Sequence, residues 1–168
     1  MPKGCDEALP KAVVGSDKQT DAMVALGNVF SSVERDWARF ARCFGLSATE
    51  LNLLYFIDEC EGAATQSDAC AQLGLSKQVV NLAVKTLLKK DLVKLEEAPT
   101  DRRRKIMAFT EAGKALSQRI VKACDAADRA CVEALSPEEM SQLMRFANLY
   151  ASTFAKAVDQ LEDELKRG

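Results

Sequence analysis

Between residues 76 and 105 the sequence concentrates cationic, amide and hydroxyl side chains that could do chemistry together. This segment contains nine basic and four acidic residues and has a net charge of +5, whereas the whole chain of 168 residues carries −2. A local excess of cations in an otherwise acidic chain is typical of a surface that binds a polyanion such as nucleic acid. The alternative, which charge alone leaves open, is a solvated helix face followed by a charged turn.

Apolar and polar side chains separate with helical spacing at the start of this segment. The residues predicted to face inward are Val80, Val84, Leu87 and Leu88. The residues predicted to face outward are Lys77, Gln78, Asn81 and Lys85. Amide side chains offer a paired donor and acceptor that match adenine edges in the major groove, and Val79 could meet a thymine methyl group. Together with Ser76, these outward residues and Val79 are the predicted major-groove contacts.

Phosphate and minor-groove contacts are predicted on either side of this helix. Thr65, Gln66 and Ser76 lie at predicted helix N-termini, where hydroxyl and backbone N–H groups suit phosphates. In the charged turn that follows the helix, Asp101 is predicted to pair with Arg103 and to orient its guanidinium toward a narrow groove. The predicted cationic contacts of this turn are Arg102, Arg103, Arg104 and Lys105.

The composition provides few of the residues that catalytic and metal sites use. The chain has no histidine, which excludes Ser-His-Asp and Cys-His nucleophiles and most mixed cysteine–histidine zinc sites. Its six cysteines include no Cys-x-x-Cys pair and are too sparse for a secreted disulfide scaffold. No stretch approaches the ~20 apolar residues that a membrane span needs. We therefore predict a soluble intracellular protein that is not an enzyme and that needs no cofactor, metal or membrane.

The elements that must position these side chains are mostly helical. Two short helices, 65–73 and 76–90, joined by a glycine turn, have the dimensions of a helix-turn-helix. Apolar–polar alternation around Pro99 predicts a β-hairpin over 92–109, with a charged turn from Glu96 to Arg104. The fold class is therefore mainly α with a small β-hairpin wing.

Long helices are predicted on both sides of this winged helix-turn-helix lobe, residues 47–110. Apolar residues at three- and four-residue steps place them over 17–46 and 111–168, the first after a loose arm over 1–16. Their apolar stripes must be covered, either within one chain or by a second copy. Since two-fold dimers are the commonest assembly, we expect these to be dimerisation helices.

The stretch from Thr65 to Lys114 resembles the MarR family, the multiple-antibiotic-resistance regulators. The motifs that carry the resemblance are Thr65-Gln-Ser-Asp, Leu73-Gly-Leu-Ser-Lys-Gln-Val-Val-Asn, Leu87-Leu-Lys-Lys-Asp-Leu-Val, Thr100-Asp-Arg-Arg-Arg-Lys and Phe109-Thr-Glu-Ala-Gly-Lys. Two positions depart from the family's pattern. Leu82 stands where members often carry a basic residue, and Asp91 replaces the usual glycine after the second short helix. Because aspartate tolerates left-handed backbone better than most residues, we expect this turn to survive.

The resemblance implies a cytoplasmic homodimer that binds pseudo-palindromic double-stranded DNA, usually as a repressor. It assigns the major groove to residues 76–90, the minor groove to 96–104 and the dimer to the outer helices. Family members respond to small aromatic or anionic effectors, or to cysteine oxidation. Candidates for an effector pocket are Trp37, Phe40, Phe44 and Tyr55, which plain core packing would also explain. The redox candidates are Cys5, Cys43, Cys124 and Cys131, for which burial as small apolar residues is the alternative.

The function predicted from this sequence is a sequence-specific transcriptional regulator that binds double-stranded DNA and is released by a small ligand. One alternative is a winged-helix protein-interaction or architectural module without specific operators, which Leu82 favours. Another is a regulator that responds to cysteine oxidation.

Overall fold

The computed structural model describes residues 16–60, 64–98 and 101–167, with the side chains of 16–20, 98 and 101–103 left out of the description. The elements in chain order are α1 (Ser16–Cys43), α2 (Ala48–Glu59), β1 (Ala64–Thr65), α3 (Gln66–Leu73), α4 (Lys77–Lys89), β2 (Val93–Ala98), β3 (Asp101–Phe109), α5 (Glu111–Glu133) and α6 (Pro137–Arg167). This mostly helical architecture with a small sheet confirms the predicted fold class. None of the helices in the described part of the chain is long and apolar enough to cross a bilayer.

Helices begin and end where short polar sequences satisfy the free backbone groups at their ends. Ser47 and Glu50 form a capping box at the start of α2, and Ser136 and Glu139 form another at the start of α6. Gly74 ends α3 with a φ of 62°, a left-handed conformation that costs glycine little. These caps fix the starts of α2 and α6 and the end of α3.

Asp91, where the sequence departs from the glycine usual in the MarR family, lies in the turn after α4. This residue has a φ of 54°, and the amide of Leu92 donates to the carbonyl of Leu87 at 3.0 Å, which closes the helix end. The hydroxyl of Thr110 donates to the Asp91 carbonyl at 2.6 Å and accepts from the Gly113 amide at 3.0 Å. The expected survival of the left-handed turn without glycine is confirmed, and Thr110 links it to the start of α5.

The sheet has three antiparallel strands in the order β1-β3-β2, one more than the predicted hairpin. β1 pairs Ala64 with Met107 and Thr65 with Ile106. A strand of two residues is too short to show an alternating pattern, which is why the sequence did not reveal it. Its pairing fixes the start of α3 beside β3.

The predicted charged turn from Glu96 to Arg104 is wrong. Glu96 and Glu97 pair with Ile106 and Lys105, so β2 and β3 continue through these residues to a register shift between Glu97 and Ala98. The strands accept the charges because the side chains of Glu97 and Lys105 pair across them at 3.2 Å. The strands therefore include residues that the charge pattern had assigned to the turn.

The core of the winged lobe is built from α2, α4 and the inner residues of the sheet. Its largest fully buried side chains include Leu51, Leu53, Leu54, Phe56, Val80, Val84, Leu87 and Met107. Gly113 is also part of this packing, because a Cβ added there would overlap the carbonyl oxygen of Leu92. Because Gly113 has no side chain, α5 can start directly against Leu92, the residue before β2, which we call the root of the hairpin.

The chain divides into two compact units, one ending at Ser117 and the other beginning at Gln118. In the first unit, α1 exposes several large apolar residues, among them Met23, Val24, Val29, Phe30 and Val33. In the second, α6 has no buried residue in the described part of the chain, and it exposes Leu143, Met144, Phe146, Leu149, Phe154, Leu161 and Leu165. The predicted domain boundaries at 46, 110 and 111 remain predictions.

Candidate nucleic-acid interface

α3 and α4 form the helix-turn-helix in which the candidate residues are concentrated. The Thr65 side chain accepts from the amide of Asp68 at the start of α3, and the exposed Ser76 accepts from the amide of Val79 at the start of α4. Ser76 caps α4 two residues after Gly74, whose backbone is left-handed. α4, which has 13 residues, therefore begins close to the end of α3.

The outer face of α4 carries the predicted major-groove residues. The exposed polar side chains are Lys77, Gln78, Asn81 and Lys85, and Val79 is 41% exposed. On the opposite face Val80, Val84 and Leu87 are buried, and Leu88 is half-buried. Within the described part of the chain, neither Lys77 nor Lys85 has an ion-pair partner. Both cations are therefore available to phosphates without breaking a contact.

A cavity of about 190 Å³ opens between α3 and α4. Its lining residues are Gln66, Ser67, Cys70, Lys77 and Asn81. A second cavity of about 460 Å³ lies between the start of α3 and β3 and shares Gln66 and Ser67 with the first. Its other lining residues are Thr65, Asp68, Arg104 and Lys105. The shared residues join the face of α4 to the cationic part of β3 in one polar surface, which we call the reading surface.

Thr65 is less suited to a phosphate than its position in the sequence suggested. The residue is buried, and its hydroxyl donates to the Asp68 carboxylate at 2.6 Å and accepts from the Asp68 amide at 3.2 Å. A hydroxyl that already donates one hydrogen bond and accepts another has little remaining capacity to bind a phosphate. Gln66, half-buried and lining both cavities, is the better placed of the two predicted phosphate contacts.

The described cations of the hairpin are paired with carboxylates. Lys105 lies 3.2 Å from Glu97, and the Arg104 guanidinium lies 3.7 Å from the Asp68 carboxylate. Glu96 contacts Lys94 at 2.6 Å and raises the pKa of that lysine. The predicted pair of Asp101 with Arg103, and the predicted contact by Arg102, lie outside the described side chains.

One ion pair that the sequence did not indicate anchors the end of α4. The ammonium of Lys90 lies 2.8 Å from a carboxylate oxygen of Glu50 and 2.8 Å from the carbonyl oxygen of Gly45. The same Glu50 oxygen accepts from the amide of Ser47 at 2.9 Å, and the Glu50 side chain is only 8% exposed. The capping box between Ser47 and Glu50 is a local sequence pattern, but the cation that pairs with it lies 40 residues away and has no local signature.

The predicted effector-pocket residues lie together. The rings of Trp37 and Phe40 stack with centroids 5.5 Å apart, and Trp37 lies 5.7 Å from Tyr55. Phe44 meets Phe40 edge to face at 5.2 Å, and the indole N–H of Trp37 donates to Asn52 at 2.7 Å. This cluster joins the C-terminal half of α1 to α2. Its role in effector binding remains a prediction.

The redox candidates are scattered. Cys43 and Cys131 are exposed, Cys124 is half-buried with its sulfur 3.6 Å from an Asp128 carboxylate oxygen, and Cys5 lies outside the described residues. Burial and the neighbouring carboxylates of Asp68 and Glu59 raise the pKa of the Cys60 thiol, which lowers its reactivity. Among the described residues no group of three or more Cys, Asp and Glu could hold a metal ion.

Comparison with known proteins relates this arrangement to one family. The model of the MarR family matches residues 44–104. None of the curated proteins compared with the chain matches its sequence.

Several solved structures share the fold. A MarR family transcription regulator matches with a TM-score of 0.76 and 17% identity, over 85% of this chain and 94% of that one. A MarR family regulator from Neisseria meningitidis matches with a TM-score of 0.66 and 22% identity, over 84% and 97% of the two chains. MepR from S. aureus, crystallised with DNA, matches with a TM-score of 0.66 and 19% identity, over 77% and 94%. The chain therefore has the fold of MarR-family transcription regulators, and its residues 44–104 match the model of that family.

Proposed function

We propose that this protein is a sequence-specific regulator that binds double-stranded DNA with α4 in the major groove. The observation that carries the proposal is the outer face of α4, where Lys77 and Lys85, which have no ion-pair partner among the described residues, flank the amides of Gln78 and Asn81. The lysines supply attraction to phosphates, and the amides supply hydrogen bonds to base edges. The similarity in fold to MepR, which was crystallised with DNA, supports DNA as the ligand.

A homodimer would present this face twice. The apolar residues that α1 and α6 expose form long faces that a second copy of the chain would cover. A two-fold dimer places its two recognition helices on half-sites about 10 bp apart, so the operator should be pseudo-palindromic.

Repression relieved by a small aromatic or anionic ligand is the regulatory mode we propose. The aromatic cluster of Trp37, Phe40, Phe44 and Tyr55 supports it, because those rings join α1 to α2 and Lys90 joins α2 to α4. A ligand that separates the rings would change how α4 is held relative to α1.

Selection of bound duplexes from a random library tests this function. The wild-type chain should enrich two inverted half-sites, and the Gln78→Ala/Asn81→Ala variant should enrich a degenerate set. Gln118→Ala, which removes an exposed amide on α5, is the matched control and should enrich the wild-type sequence.

The same selection separates the proposal from its alternatives. Leu82, exposed on the same helix where the family often has a cation, favours an architectural module without operators. Salt-labile binding with no enriched sequence would identify that module and contradict the regulator. Repeating the selection with hydrogen peroxide tests control by cysteine oxidation, which predicts loss of enrichment only with the oxidant.

A further inference from the structure

Leu82 lies at the centre of the outward face of α4. It is 68% exposed, more than any other large apolar side chain described in the first unit. At 100° per residue it is rotated by about 200° from both Val80 and Val84, which are buried. Leu82 therefore points directly away from the core, while Gln78 and Lys85, one turn before and one turn after it, share its side of the helix.

The surroundings of Leu82 indicate what could cover it. The exposed side chains on its side of α4 are mostly polar or cationic, namely Gln78, Lys85 and Lys89, and lie beside the apolar Val79. Among the described residues, Lys85 and Lys89 have no ion-pair partner. An apolar protein partner would have to bury these ammonium groups without compensation, which is costly. A polyanion that offers a small apolar group at the same depth satisfies both the lysines and the leucine.

The major groove of DNA offers such a group at one base only. The C5-methyl of thymine projects into the groove beside the hydrogen-bonding edges that Gln78 and Asn81 would read. The leucine side chain has no hydrogen-bond donor or acceptor, so it can contribute affinity only by packing against that methyl group. A cytosine at the same position has no methyl group and would contribute none of this affinity.

We propose that Leu82 is a specificity-determining residue that packs against a thymine methyl group in each half-site. This inference rests on the proposed function, since it needs α4 in a major groove. The expected contribution is that of one buried methyl, about fourfold in affinity per half-site.

The test replaces thymine with deoxyuridine, which removes the methyl and keeps the hydrogen-bonding edge. Binding of the selected duplex is measured by fluorescence anisotropy with each thymine replaced in turn, for the wild-type chain and for Leu82→Ala. The wild type should lose about fourfold at one position per half-site, and Leu82→Ala should bind thymine and deoxyuridine equally there. Alanine at this exposed helical position favours the helix, so the variant should fold.

Leu95→Ala is the matched control, because Leu95 is an exposed leucine of the first unit outside the predicted DNA contacts, and it should keep the fourfold preference that Leu82→Ala loses. Val79→Ala separates the two exposed apolar residues of α4: if it abolishes the preference at that thymine, Val79 holds the methyl and the proposal is wrong. A Leu82→Ala variant that keeps the wild-type preference at every thymine also overturns it, while the regulator function stands. Sedimentation supplies a third readout: a wild-type assembly that Leu82→Ala disperses would show that a second copy covers this residue. Failure of the wild type to bind any duplex would instead remove the proposed function.

Discussion

α4 and the β2–β3 hairpin both carry cations on the reading surface, but they hold them differently. Lys77 and Lys85 on α4 are exposed and have no ion-pair partner among the described residues. On the hairpin, Lys105 is paired with Glu97 and Arg104 with Asp68. A phosphate that approaches α4 gains a contact outright, whereas one that approaches the hairpin must displace a carboxylate first. We infer that α4 supplies most of the affinity and that the hairpin adjusts it.

The two regions also differ in how they are fixed to the lobe. α4 is held by its buried face and by the ion pair of Lys90 with Glu50. The hairpin is held at its root, where Gly113 allows α5 to lie against Leu92. Each attachment can be broken separately, which makes the comparison testable.

The largest effect is expected at the root of the hairpin. Gly113→Ala places a methyl on the carbonyl oxygen of Leu92, so backbone must move, and we expect the free energy of unfolding to fall by about 3 kcal/mol. Gly27→Ala is the control, because nothing lies within 4 Å of a Cβ there and alanine favours the helix by about 0.5–1 kcal/mol. Urea unfolding followed by circular dichroism measures both. Equal stabilities of the two variants would show that α5 does not need this close approach.

The next effect concerns the attachment of α4. Lys90→Met leaves the buried Glu50 carboxylate without its cation, and we expect a loss of about 1–2 kcal/mol in unfolding free energy. Lys89→Met removes the same charge from the neighbouring exposed residue and should change stability by less than about 0.5 kcal/mol. Because α4 would also be less well positioned, Lys90→Met should weaken duplex binding more than Lys122→Met, which removes an exposed cation of α5 away from the reading surface. The reverse order of affinities would show that the ion pair does not position α4.

A smaller effect is expected where a hairpin cation is removed. Arg104→Met should weaken binding of the selected duplex by about two- to fourfold, since the gain from a phosphate is offset by the lost contact with Asp68. Lys85→Met removes a cation of α4 that is unpaired within the described part of the chain, and it should weaken binding by about tenfold in the same titration. A loss with Arg104→Met that exceeds the loss with Lys85→Met would invert the comparison.

The smallest effect is a gain. Glu97→Gln frees Lys105 from its carboxylate and should tighten duplex binding by about twofold. Glu96→Gln removes the same charge from the adjacent residue, whose partner is Lys94, and serves as the control for the change in net charge. If the two variants bind equally, only the overall charge of the hairpin matters and the pairing of Lys105 does not.

Local sequence patterns predicted most of the helical scaffold. Ser47 with Glu50, Gly74 and Ser136 with Glu139 carry their structural consequence within a few residues, so the helix ends could be placed. The exposed face of α4 followed from the spacing of Val80, Val84 and Leu87 for the same reason. The resemblance to the MarR family then joined these elements into one lobe.

Features that depend on residues far apart in the chain could not be predicted. The strand β1 forms only because Ala64 and Thr65 pair with residues of β3, some 40 residues later in the chain. The anchoring of α4 joins Glu50 to Lys90, and the hairpin charges belong to strands because partners across the sheet neutralise them. Prediction from the charge pattern alone therefore began the hairpin turn too early in the sequence. It also gave no sign that Arg104 and Lys105 are paired with carboxylates.

The salt dependence of duplex binding tests most directly the claim that α4 supplies the principal contact. For a dimer, Lys77→Met/Lys85→Met removes four cations, and the plot of log affinity against log salt concentration should become shallower by about 4. Arg104→Met/Lys105→Met removes four cations from the hairpin and should change that slope by less. Equal slopes for the wild type and the α4 variant would contradict the account, because phosphates would then be bound somewhere other than the face of α4.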